Sequence, residues 1–66
     1  MIVKVRMLNG FEGRCLISTQ DRAFRYEGGL NEDMIQTMQG RTHAYFKAEM
    51  GPEGLEIAEE LPDQGW

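Results

Sequence analysis

Residues 30–40, LNEDMIQTMQG, hold the clearest local signal in the chain. Asn31 is a good helix N-cap, because its side-chain oxygen can accept from an unpaired backbone N–H of the first turn. Glu32 and Asp33 follow where the positive end of the helix dipole favours acids. Leu30, before the cap, can staple onto Ile35. Met34, Ile35 and Met38 recur at helical spacing. Gly40 then stands at the position past the last turn where a left-handed conformation ends helices. The stretch predicts one helix of about nine residues, too short to persist alone in water, so it needs a sheet to pack on.

The flanking segments supply that sheet. Ile2 to Leu8 alternates, with Val3, Val5 and Met7 on one side and Lys4 and Arg6 on the other, as a half-buried strand does. Asn9-Gly10 is a strong hairpin signal, and Arg14 to Ser18 reads as the return strand, with Cys15 and Ile17 on one face and Leu16 on the other. A two-residue turn would set Val5 against Arg14, putting charge into the apolar face. Pairing Val3 with Ile17 and Val5 with Cys15 keeps the apolar residues together. That register predicts a longer loop through Phe11 or a bulge at Gly13. Ala23 to Glu27 reads as a third strand, with Phe24 and Tyr26 on one face, ended by Gly28-Gly29.

Beyond the helix, Thr42 to Met50 alternates again. Ala44, Phe46, Ala48 and Met50 form one face, and His43, Tyr45, Lys47 and Glu49 the other. Gly51-Pro52-Glu53-Gly54 is a turn by composition, and Leu55 to Leu61 is the last strand before Pro62. This hairpin pairs Met50 with Leu55, Ala48 with Ile57 and Glu49 with Glu56. The expected fold is therefore a small two-layer α+β domain, order βββαββ, with a mostly antiparallel sheet and one helix packed on one face. The domain spans residues 1–61, and 62–66 form a C-terminal tail. The expected core is Val3, Val5, Met7, Cys15, Ile17, Phe24, Met34, Ile35, Met38, Phe46, Ala48, Leu55 and Ile57.

Length and composition bound the function. A chain of 66 residues has room for one domain and buries only about 60% of its unfolded surface, so good packing or self-association, such as a homodimer, has to stabilise it. Cys15 is the single cysteine, which rules out an intrachain disulfide and fits a reducing compartment. One Cys and one His make a zinc site implausible, and no metal or cofactor is expected. Lys4 and Arg6 interrupt the early apolar stretch, so no signal peptide is read. No run reaches the ~20 apolar residues of a membrane span, and a cytoplasmic, stand-alone product without membrane contact is expected.

Net charge is −4. Residues 1–30 carry five Lys/Arg against three acids, whereas residues 31–66 carry two against eight. Such acidity argues against a general nucleic-acid binder and is compatible with a basic protein partner. Glu53, Glu56, Glu59, Glu60 and Asp63 are the acids of that C-terminal edge, and Trp66 is a residue type favoured as an interface anchor. These six are the expected partner-binding residues of a non-enzymatic interaction module, a regulator or inhibitor that covers a basic surface. A charged strand that keeps a sheet edge from aggregating is the plain alternative. A different reading takes His43, Tyr45 and Lys47 as an exposed sheet face that stacks single-stranded nucleic acid. A small enzyme fits least. Cys15 and His43 are the candidate nucleophile and base, but they fall on opposite faces of the sheet, and the carboxylate pairs lack a cleft that would raise a pKa.

Overall fold

The computed structural model describes residues 1–8, 13–21, 25–29 and 31–66. Five strands, β1 (Ile2–Met7), β2 (Arg14–Ser18), β3 (Arg25–Gly29), β4 (His43–Gly51) and β5 (Gly54–Leu61), and one helix, α1 (Glu32–Met38), follow in the order βββαββ. The strands form one antiparallel sheet in the order β3-β2-β1-β4-β5, so β1 is central and β3 and β5 are edges. Most of the molecule is sheet.

Alternation in β1, β2 and β4 sorts side chains onto two faces. On the first, Val3, Val5, Cys15, Ile17, Ala44, Phe46 and Ala48 form the buried cluster. Met38 of α1 is buried in it, and Met34, Met7, Leu55 and Ile57 pack against it. The Asn31 side chain caps α1 by accepting from the Met34 N–H at 2.9 Å, and Gly40 follows with φ +74°. Seven residues are helical rather than about nine, because Gln39 already turns extended as the C-cap. Ile35, expected in the core, and Met50, read on the apolar face of its strand, differ from that reading. Ile35 stands outside the core cluster, and Met50 is 62% exposed. Phe24, Phe11, the Asn9-Gly10 turn and the Leu30 staple lie outside the described residues.

Three details of the strands depart from expectation. In β1–β2 the pairs are Val5 with Ile17 and Met7 with Cys15, two residues from the expected register. The apolar face survives because a shift of two preserves the side-chain period. The Leu8 N–H donates to Arg14 O at 2.9 Å, and Gly13, at φ +66°, leads into β2. Next, β3 includes Gly28 and Gly29 and begins at Arg25. Gly28 pairs with Cys15, and a Cβ on it would meet the Tyr26 ring at 2.6 Å, so a larger residue here would displace that exposed ring. Last, β4–β5 has the expected pairs Met50–Leu55, Glu49–Glu56 and Ala48–Ile57, but the register then shifts so that Phe46 faces Glu60 and Tyr45 faces Leu61. One extra residue of β5 is taken up there, as in a β-bulge, and Leu61 moves to the second face.

Candidate functional site

The second face carries the polar and charged side chains, and residues 62–66 run across it. Tyr45 projects from β4 with Lys4 of β1 beside it. The Trp66 main-chain oxygen accepts from Lys4 Nζ at 2.8 Å and from the Tyr45 hydroxyl. The Trp66 ring meets Tyr45 edge-on, centroids 5.2 Å apart, and His43 also meets Tyr45 edge-on, at 5.5 Å. Lys4 Nζ lies 5.8 Å from the Tyr45 centroid, within cation–π range. Asp63 Oδ2 stands 3.6 Å from His43 Nε2. The Asp63 side chain also accepts from the Gly65 N–H at 2.7 Å, which shapes the tail.

This arrangement corrects the exposed aromatic face read from the sequence. Tyr45 is only 2% exposed and has no free ring face to offer a base, because Trp66 and His43 occupy its surroundings. Lys47 is exposed and His43 half-buried. A signal for this was present: Ile2, Leu16 and Tyr45 are apolar or aromatic residues out of phase with the core stripe. A second, smaller apolar patch needs a cover, and the tail supplies Trp66.

The six acidic-edge residues do not form one cluster. Glu60 is paired with Arg41, Asp63 is near His43, and Trp66 packs on Tyr45. Glu53 lies in the β4–β5 turn, and Glu56 and Glu59 on β5. These three are exposed, and among the described residues none has a cation within ion-pair distance. The Glu56 carboxylate leans over Gly51, where a Cβ would collide with it.

Cys15 and His43 sit on opposite faces, as expected. Cys15 is fully buried, and its thiol donates to Gly28 O at 3.4 Å. Burial pushes the thiol above its ordinary pKa, the opposite of what a nucleophile needs. Among the described residues no three His, Cys, Asp or Glu side chains gather as a metal-ligand group, and no helix is long and apolar enough to cross a membrane.

A different cluster lies beside the tail. Lys4, Arg6 and Arg25, with Ser18, Gln20 and Trp66, line an open cleft of about 260 Å³. A second cleft of about 660 Å³, walled by Ile2, Asp21 and Trp66 among others, shares Thr19, Gln20 and Trp66 with it. The strand order β3-β2-β1 sets Arg25, Ser18 and Lys4 in one row across the sheet, a juxtaposition that sequence spacing does not show. No family model matches the chain, and neither the curated proteins nor the solved structures compared with it include a match.

Proposed function

We propose that the protein is a non-enzymatic interaction module, a regulator or inhibitor that docks on a basic surface of a partner protein through the end of its β4–β5 hairpin. One observation carries this reading. Pairing of β4 with β1 runs from His43 to Lys47, and the Ala48 N–H still donates to Met1 O at 2.8 Å, but the hairpin continues beyond. Its end presents Met50, 62% exposed, on one face and the cross-strand pair Glu49 and Glu56 on the other, with Glu53 in the turn and Glu59 further along the edge strand. A hairpin end with an exposed apolar side chain and acids that have no cation within ion-pair distance among the described residues suits a contact in which charge sets approach and orientation and the apolar group is buried. Edge strand β5 adds unpaired backbone groups that a partner strand can meet.

In this reading α1 serves the scaffold. Its Met38 lies in the buried cluster and its Met34 packs against it. The setting is cytoplasmic and reducing, where Cys15 stays a thiol.

The test is a comparison of the parent with the Glu53→Lys/Glu56→Lys/Glu59→Lys variant as baits in host lysate, at low and high salt. All three side chains are exposed, so the circular dichroism spectrum is expected to be unchanged. A protein held by the parent at low salt, and released both by the variant and by high salt, supports the reading, because exposed charge pairs are screened by salt. Retention that is indifferent to the variant, or no protein retained by the parent, overturns it.

A further inference from the structure

The cationic cleft is independent of the hairpin, and it poses an electrostatic question of its own. Acids outnumber bases by eleven to seven in this chain, yet two arginines of one cleft, Arg6 and Arg25, have no carboxylate within ion-pair distance among the described residues. Nearby Glu27 is engaged with Arg14 instead. Lys4 joins the two arginines in the cleft wall, where its ammonium holds the Trp66 main-chain oxygen at 2.8 Å. Three like charges in one cleft wall, two on β1 and one on β3 across β2, repel one another, and an anion in the cleft relieves that repulsion. Ser18 and Gln20, in the same wall, add neutral polar groups. Guanidinium groups bind phosphate through paired N–H donors, which makes Arg the suited residue here.

The adjoining wider cleft has a different character. Ile2, 43% exposed, and Trp66 form part of its wall, and Asp21 stands on its rim. Its volume of about 660 Å³ lies in the range of about 300–1,000 Å³ usual for small-molecule sites. Trp66 lines the cationic and the apolar part alike, with its ring edge-on to Tyr45.

We propose that this two-part cleft binds a nucleotide unit, with the phosphate between Arg6, Arg25 and Lys4 and the base against Trp66 and Ile2. The same chemistry is offered by a free mononucleotide and by one residue of a single strand. Placing the aromatic ring at Trp66 follows from base–aromatic stacking, which works for every base. Placing the phosphate at the arginines follows from charge.

Trp66 is the sole tryptophan, so its emission reports on the cleft directly. The experiment titrates the protein at low salt with AMP and UMP, with an oligo-dT of eight nucleotides, and with inorganic phosphate. A saturable quench by the mononucleotides or by the oligonucleotide is expected. Arg6→Ala and Arg25→Ala are each expected to weaken it about tenfold, the scale of one lost charge-assisted contact. Arg41→Ala, whose side chain pairs with Glu60 outside the cleft, is expected to leave it unchanged. Both cleft arginines are exposed strand residues, and an unchanged circular dichroism spectrum verifies that the variants fold. Tighter binding of the oligonucleotide than of the monomers assigns the single strand as the source, and the reverse assigns the free nucleotide. No saturable response to either, an affinity that Arg6→Ala and Arg25→Ala leave intact, or phosphate binding as tightly as AMP, overturns the proposal.

Discussion

Cys15 shows how one residue's surroundings decide its chemistry. A thiol at the surface with a basic neighbour loses its proton readily. Here the side chain lies between Met7 on β1 and Gly28 on β3 with no exposed surface, so the thiolate is disfavoured and the pKa is raised. The sign of the resulting pH dependence is definite. Below the unfolded thiol value both states hold the proton and stability is unaffected. Above it the unfolded chain releases the proton while the folded protein keeps it, so unfolding is favoured as pH rises through that window. The prediction is that the urea midpoint falls between pH 8 and pH 10 by more in the parent than in Cys15→Val, which fills the site without a titrating group. Equal falls would mean that the thiol is not held neutral by the fold. The same burial predicts that Cys15 reacts slowly with alkylating reagents in buffer and rapidly in denaturant.

At the scale of elements, the helix is the part whose boundaries local chemistry marks best. Asn31 caps it through the Met34 N–H, and Glu32 and Asp33 fill the first turn. With seven residues it has little cooperative stability of its own, so the cap matters. Asn31→Ala is expected to cost about 1 kcal/mol, seen as a lower urea midpoint, and Asn31→Asp is expected to be near neutral; no loss in Asn31→Ala would show that the helix is held by Met38 and Met34 alone. Strand positions were legible to a different depth. Alternation of Val3, Val5, Cys15 and Ile17 identifies the buried face, but a period of two is blind to a slip of two, and β1–β2 departs from expectation by that amount. Gly28 and Gly29 look like terminators in a sequence, and only their pairing with Cys15 and Arg14 of β2 makes them strand residues. The β5 bulge is silent in the sequence, since its effect, Leu61 beside Tyr45, needs a partner strand to be read. The cationic cleft was hidden for the same reason: Arg6 and Arg25 come to line one cleft only through strand order.

For the whole molecule the question is how 66 residues bury enough surface. A domain of this size has about 3–5 kcal/mol to lose, and a sheet whose buried cluster lies on one face leaves the other wet. The second face answers this in part. Tyr45 is buried there against His43 and Trp66, and one main-chain oxygen of Trp66 ties β1 to β4 through Lys4 and the Tyr45 hydroxyl. Removing residues 62–66 should therefore destabilise the fold as well as trim it. Losing an aromatic pair, worth about 0.5–1.5 kcal/mol beyond its burial, together with hydrogen bonds of about 1 kcal/mol each, predicts a loss of about 2–3 kcal/mol. Trp66→Ala separates the two contributions, because it removes the ring and keeps the main-chain oxygen. It should cost less than the truncation, and Tyr45→Phe should cost about 1 kcal/mol by losing the hydroxyl alone. Urea unfolding followed by far-ultraviolet circular dichroism measures all three. If the truncated chain unfolds at the parent's midpoint, the tail is a passenger on the sheet, and the burial of Tyr45 contributes nothing to holding β1 and β4 together.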